Sequence, residues 1–460
     1  MGKRVRLEGW QTGLLRKIKP DGSTTNVLRP ILANASLILS SDPKWEGVLA
    51  YDEFAETVIT QKLPPFRPCD LYKGQQAGDW VDEDTGRTQA WLSDAWGLDV
   101  GQDVCLSAVK MAACRRRVHP VRDWLDSLRW DGKMRSASWL IDVMGCEDTP
   151  YVRAVGQAWL VSAVARVYNP GCKVDTVLVL EGKPGIFKSS VLRALVGEWF
   201  LEMSITDVAN KDAMQTLRRK WIAEFPEIDG LSRTEQAHVK AYFSRQVDTY
   251  RASYGKGTRD YPRQTVFAAT TNKEQYLVDE TGGSGRRMWP VRCHRGDLGL
   301  AGSLREQLWA EAKVRFEGGQ EWHLRDPELR DLERSEQDAR FRSDPWEQTI
   351  ATWLAKPSDL GDKTIRGVST ADVMAGALGM DVAKRDHASA SRVGAILRRI
   401  GWLPGKHPET IDGVRIRLYR PEDGAGTNGH TLWPLEDSGT VPLESDELSE
   451  DMFPPKDSLG

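Results

Sequence analysis

The sequence predicts an α/β protein whose centre is a parallel sheet flanked by helices, and three stretches carry that expectation. "DTVLVLEG" is a short apolar run rich in β-branched residues; it leads through the glycine-containing "GKPGIFKSS" into the helical period of "KSSVLRALVGEWF". "KWIAEFPEID" and "QTVFAATTN" are two more apolar runs, each ending in polar residues. Buried strands that alternate with helices and end in polar side chains form parallel sheets whose ligand sites lie at the C-terminal strand edges.

Composition sets the frame. With 460 residues, 28% charged and 40% hydrophobic, the chain is long and apolar enough for two or three domains with real cores. Nowhere do eighteen apolar residues run together, so the expectation is a cytoplasmic protein with no membrane partner. The six cysteines are widely spaced with no CxxC, which reads as reduced, packed thiols and not as a metal site. The net charge of -3 hides an asymmetry, because residues 421–460 hold ten acids against one lysine. The body is therefore mildly basic, which is compatible with a nucleic-acid partner.

Along the chain, residues 1–115 read as an α-rich N-terminal domain, with helical patterns in "TQAWLSDAWGL" and "QDVCLSAVKMAACRRR". Residues 116–170 read as a helical collar or linker. Its tryptophans recur at roughly helical spacing and are expected in the core, and "PYVRAVGQAWLVSAVARVYNPG" is expected to be an amphipathic helix between Pro150 and the "NPG" breaker. Residues 171–335 hold the α/β core. In residues 345–420, "WEQTIATWLAKP", "STADVMAGALGM" and "SASRVGAILRRIGWLPG" read as three short helices and "GVRIRLYRPE" as a closing strand, the order of a winged-helix-like domain. Residues 421–460 read as an acidic, disordered tail.

The chemistry concentrates in the core. "GKPGIFKSS" nearly matches the phosphate-loop pattern GxxxxGKS/T: Gly182 and Gly185 supply backbone freedom, Lys188 stands where a lysine reaches phosphates, and Ser189 where a hydroxyl holds magnesium, with Ser190 beside it. Phe187 occupies the place of the usual glycine, and a β-carbon there costs about 1 kcal/mol or more if φ is positive. In "WIAEFPEID" the candidate acids are Glu224, Glu227 and Asp229, one to orient the metal and another to polarise water. Asn272 closes "TVFAATTN" where a γ-phosphate sensor would sit, and "GGSGRRMWPV" offers Arg286 and Arg287 for delivery to a neighbour's γ-phosphate. In "VDTYRASYGKGTRDYPRQ", Gly255 and Gly257 suit a hairpin tip with Lys256 at its apex.

At these residues the sequence resembles the virulence-associated protein E family, superfamily 3-like AAA+ ATPases of phages and mobile elements. The resemblance runs from about "HPVRDWLDSLRWDGK" to "RIRLYRP". Family members commonly read GxQGxGKS at the loop, whereas this chain has Pro184 for the glutamine and Phe187 for the glycine. The resemblance implies an AAA+ P-loop NTPase core and an ATP-dependent DNA helicase or translocase, working as a homo-oligomeric ring, expected to be a hexamer, in replication of a phage or mobile element. It implies ATP and Mg2+ as cofactors, with Lys188 on the phosphates, Ser189 and Glu224 on magnesium, and Glu224 and Glu227 as the Walker B acids. Asn272 would be sensor 1 and Arg286 or Arg287 the finger acting in trans. Lys256 would face single-stranded DNA in the central pore, or DNA at a fork, with Tyr254, Arg251 and Arg259 as supports; Arg251 and Arg263 are alternative supports for the nucleotide. A replication initiator or a primase is a further partner.

Two rival functions remain open at the level of sequence. One is a primase-helicase, for which Asp52, Glu53, Asp82, Glu83 and Asp84 supply acids without a convincing spacing. The other is a degenerate ATPase that binds DNA or a host protein without turnover, and Phe187 is its best argument.

Overall fold

The computed structural model, which describes residues 9–66, 78–204, 211–228, 239, 241–251, 257–277, 287–341, 344–355, 367–411 and 413–421, divides into two units. The first comprises Met1–Ile228, Thr234–Asn272 and Met288–Glu333, and the second Asp229–Arg233, Lys273–Arg287 and Arg334–Gly460. The tail from residue 422 onward lies outside the described residues.

The first unit opens with a hairpin of β1 (Arg16–Ile18) and β2 (Thr24–Leu28), then α1 (Leu32–Ser41), β3 (Leu49–Asp52), β4 (Thr57–Thr60), β5 (Gly78–Asp79), α2 (Asp82–Trp96), α3 (Gln102–Ala113) and β6 (Arg117–Val118). Among the described residues three α-helices are present, but β5-β4-β3-β6 form a four-stranded sheet that shares their core, so the α-rich expectation is corrected to a mixed layer. The reason is local. β3 and β4 are four residues each, too short to display a period, and Glu56 takes the left-handed turn position (φ 52°) that a glycine would have advertised.

Next come α4 (Pro120–Ser127), α5 (Trp139–Met144) and α6 (Pro150–Tyr168). Thr149 caps α6 through a hydrogen bond from the Val152 amide, and Pro150 sits in the first turn, where its missing N–H costs nothing. The amphipathic expectation for α6 fails. Tyr151, Val155, Trp159, Leu160, Ala163, Val164 and Val167 are all buried, and so is Arg166, because α6 is enclosed by α5, the central sheet and the long helix that follows the sheet.

That sheet is built from β7 (Val177–Glu181), β8 (Phe200–Glu202), β9 (Ile222–Phe225), β12 (Val266–Thr271) and β13 (Met288–Arg292), with α7 (Lys188–Val196), α8 (Lys211–Thr216) and a separate antiparallel hairpin, β10 (Val247–Tyr250) and β11 (Arg259–Pro262), between them; α9 (Leu298–Glu317) closes the layer. All pairings in the order β13-β7-β12-β9-β8 are parallel, as the three apolar runs predict. Trp221, Trp309, Trp199 and Trp124 pack as a cluster, with the Trp221 and Trp309 rings 4.1 Å apart. Their buried indole N–H groups are satisfied by backbone, Trp221 donating to the Ala163 carbonyl and Trp309 to that of Leu195. Trp139 is likewise fully buried. Of the tryptophans whose helical spacing predicts a core role, Trp139 is therefore in the core, Trp124 is partly buried against it and Trp130 is half-buried.

In the second unit, α10 (Pro345–Leu354), α11 (Thr370–Gly376) and α12 (His387–Arg399) lie where the three helical patterns place them, each started by a capping Asp344, Ser369 or Asp386. The expected closing strand is instead two: β16 (Val414–Ile416) returns on β15 (Glu409–Ile411), and β17 (Tyr419–Pro421) pairs with β14 (Trp402–Pro404). Ile350, Val373, Met374, Val393, Leu397, Trp402 and Tyr419 form its core. Among the described residues no helix is long and apolar enough to cross a membrane.

Candidate functional site

The loop between β7 and α7 lies at the C-terminal edge of the sheet. Two glycines take the angles it needs, Gly182 at φ 150° and Gly185 at φ 80°. Phe187 takes a third left-handed position, φ 65° and ψ 28°, immediately before the first residue of α7, and its side chain is 56% exposed. The missing glycine is thus a real conformational departure: the loop keeps the angles and carries the β-carbon. Phe187→Gly is expected to stabilise the chain by about 0.5–1 kcal/mol, the relief of left-handed strain less the entropy of a freer unfolded chain. Thermal unfolding checks it, and a fall in melting temperature would show that the ring supports the loop.

Lys188, buried in the first turn of α7, donates from Nζ to the carbonyls of Gly182 (2.7 Å) and Lys183 (3.0 Å) and to Oδ1 of Asn272 (3.0 Å). Lysine and asparagine, far apart in sequence, therefore meet at the adjacent ends of β7 and β12. Burial pushes the Lys188 ammonium below its usual pKa, while Cys293 and Glu224 draw it back up. Ser189 donates to Oε1 of Glu224 (2.6 Å), and Thr270 donates to the same oxygen (2.7 Å). Ser190 stays exposed in the first turn of α7.

Glu224 is fully buried within β9, and its second oxygen, Oε2, is buried without a hydrogen-bond partner. Burial raises its pKa, against the opposing hydrogen bonds of Ser189 and Thr270. Glu227 differs in every respect: it follows β9, is exposed, and holds a left-handed φ of 51°. The two acids are therefore unequal, one a buried anchor beside the loop and the other free to meet solvent. Asp229 lies outside the described residues.

Arg287 directly precedes β13, and Met288 pairs with Val177, so β13 begins at the edge of the sheet opposite the loop, whereas Arg292 pairs with Glu181 at the loop's edge. Arg286 lies outside the described residues. The hairpin expected between the acids and Asn272 is present as β10–β11 with Tyr250 opposite Arg259, while the tip residues Tyr254, Gly255 and Lys256 lie outside the described residues. Arg251 and Arg259 are exposed at the open end of the stem. Tyr250 and Tyr261 stack (4.4 Å), and Arg218 lies over Tyr261 and donates to the Tyr250 hydroxyl (2.6 Å).

Arg263 does not reach the loop between β7 and α7. It is buried at the root of the hairpin, where it donates to both carboxylate oxygens of Asp248 (2.6 and 2.7 Å) and to the Tyr242 carbonyl. Of the acids that a primase would need, Asp52 accepts from the amides of Phe54 and Ala55, Glu53 pairs with Arg117 and Arg122, and Asp84 accepts from the Val81 amide and pairs with Arg87, while Asp82 and Glu83 are exposed in the first turn of α2.

Thr270 and Arg218 escaped the sequence reading. The doubled threonine of "AATTN" is the one signal for a strand-end hydroxyl that serves the acid beside it, since Ala268 of β12 is paired with Glu224.

The model of the virulence-associated protein E-like domain matches residues 125–341. No curated protein matches the chain. Among solved structures, the A-form apo structure of the NrS-1 C-terminal region is similar at a TM-score of 0.40 and 10% identity, covering 81% of this chain and 96% of that one. A second structure of the same region gives 0.39 and 11% over the same shares. Residues 125–341, the stretch that holds the loop, both acids, Asn272 and the hairpin, thus form a virulence-associated protein E-like domain.

Proposed function

We propose that this chain is an AAA+ ATPase of the superfamily 3 kind that couples ATP hydrolysis to movement on DNA, as a ring, in replication of a phage or mobile element. The observation that carries it is the convergence of Lys188, Asn272, Ser189, Glu224 and Thr270 on one phosphate loop at the edge of a parallel sheet. Lys183, Gly185, Ile186 and Phe187 would offer backbone N–H groups and Lys188 its ammonium to the phosphates of ATP. The donor set fits magnesium: the orphaned Oε2 of buried Glu224 and the Ser189 hydroxyl are hard oxygen ligands side by side. When bound, that ion would offset charge on the phosphates. Glu227, exposed beyond the strand, would orient and deprotonate a water, and Asn272 would hold the terminal phosphate.

The start of β13 at the far edge of the sheet supports delivery of Arg286 or Arg287 to the site of a neighbouring copy, since within one chain five residues of strand, about 17 Å, separate that edge from the loop. Lys256, in the stretch of chain that joins β10 to β11, with Tyr254, Arg251 and Arg259, would grip DNA phosphates without reading bases. The second unit we read as winged-helix-like. Its stretch 384–421 holds nine Lys or Arg against three Asp or Glu, which concentrates the basic surplus of the body there and suits contact with duplex phosphates.

The test is phosphate release by the purified chain with and without DNA. Wild type is expected to hydrolyse ATP faster with DNA; Lys188→Ala to lose ATP affinity by about tenfold or more as its phosphate contacts vanish; Glu227→Gln to bind ATP while losing DNA-stimulated turnover. Binding without hydrolysis in the wild type would favour the rival that Phe187 suggests, a nucleotide-binding module without turnover. Imaging with DNA and a non-hydrolysable analogue tests the ring, and a monomer there would remove the trans arginine.

A further inference from the structure

The phosphate loop is pressed from outside as well as held by its own helix. The segment after β13, Cys293 to Asp297, touches it backbone to backbone at two points, and each contact has a glycine. A β-carbon on Gly182 would lie 2.5 Å from the Cys293 carbonyl oxygen. One on Gly296 would lie 2.4 Å from the carbonyl oxygen of Ile186 and 3.2 Å from the β-carbon of Phe187. The segment has little freedom to retreat. Cys293 donates its amide to Glu181, His294 and Arg295 donate theirs to Met144, Asp297 donates to Val143, and the Asp297 side chain accepts from the Leu300 amide to start α9.

We propose that Gly296 is a positioning residue of the nucleotide site and supplies, from across the loop, the space that the usual loop glycine would have supplied from within. Phe187 keeps the left-handed angles of the glycine it replaces and adds a β-carbon; that β-carbon and the Ile186 carbonyl are accommodated because residue 296 has no side chain of its own. Gly296 is not required by its backbone angles, since its φ lies outside the left-handed region. Alanine there is therefore a steric probe: the rigid partner is a backbone carbonyl, so the peptide joining Ile186 to Phe187 must turn, and with it the amide at the start of α7 that faces the phosphates. The proposal deepens the nucleotide-site reading and rests on it.

The experiment measures affinity for a fluorescent N-methylanthraniloyl ATP, with thermal unfolding in parallel, on the full chain carrying Gly296→Ala, Phe187→Gly or both. Gly296→Ala is expected to weaken binding at least tenfold, and the double variant to regain at least threefold of that loss, because one of the two colliding groups has gone and residue 187 is then free to shift. A general packing defect at 296 would not be repaired by a change at 187. Equal binding by wild type and Gly296→Ala, or a double variant with no recovery, overturns the proposal alone. A wild type that binds no nucleotide overturns the nucleotide site and the proposal together. Should Gly296→Ala fail to fold, Phe187→Gly must restore folding, and a double variant that stays unfolded also overturns it.

Discussion

Under the proposed function, Glu224→Gln is expected to cut ATP hydrolysis by about 10²–10³-fold, the usual cost of removing one preorganised electrostatic group from a reacting centre, while making the fold more stable. The carboxylate is fully buried with one oxygen unpartnered, so in the ligand-free chain its charge is a cost. The amide is isosteric, and its oxygen still accepts from Ser189 and Thr270, the two donors that hold Oε1. Stability should rise by about 1 kcal/mol at neutral pH, the scale on which a function-bearing destabilised group is relieved. The sign of the pH dependence follows from the raised pKa. A carboxyl whose folded value lies above its unfolded value takes up a proton on folding between the two, so the wild type gains stability as pH falls through the folded value. The glutamine variant lacks that gain. Its advantage is therefore full above the folded value and shrinks toward the ordinary carboxylate range. Urea unfolding of both proteins at several pH values checks this; a variant less stable than wild type at neutral pH would mean that the charge is compensated in the free protein.

That prediction depends on a link the sequence only half contains. Lys188, Ser189, Glu224 and Asn272 were legible because each belongs to a local pattern, a loop before a helix or an acid at a strand end, and the patterns occur in a fixed chain order. The contacts among them were not. Thr270 joins Ser189 at one carboxylate oxygen only because β9 and β12 are neighbours in register, which no spacing in the chain reveals. Gly296 sits in "RCHRGDLG", where nothing marks it, because its constraint comes from a carbonyl more than a hundred residues earlier. The sheet itself was readable from apolar runs with polar ends. The β3–β4 hairpin was hidden by Glu56 in a glycine's place, and α6 was misjudged because a helix covered on all sides presents no polar stripe.

Asp248→Ala is expected to destabilise the chain by about 3–5 kcal/mol, since truncating one member of a buried pair leaves the other charge uncompensated. Here the consequence is doubled. Arg263 is 2% exposed at its side chain and Asp248 5%, and a second buried guanidinium, Arg166, lies against the same turn, donating to the carbonyls of Val174, Arg263 and Arg245. Burial brings the Arg166 pKa down to about 10, with Asp248 among the groups that oppose the fall. One carboxylate thus serves two buried cations at the root of the β10–β11 hairpin. The root also leads without interruption through Gln264 and Thr265 into β12, the strand that carries Thr270 and ends beside Asn272 at the phosphate loop. Loss of Asp248 should therefore loosen the hairpin and the Asn272 end of β12 together, and under the proposed function a partly folded variant would bind DNA and ATP more weakly in the same measurement. Asp248→Asn, which keeps an acceptor and loses the charge, should fall between wild type and alanine. Equilibrium unfolding in urea reads all three, and a loss below about 1 kcal/mol for the alanine variant would place this pair with exposed ion pairs, whose worth is small, and leave the hairpin root held by Tyr242, Tyr250 and Tyr261 instead.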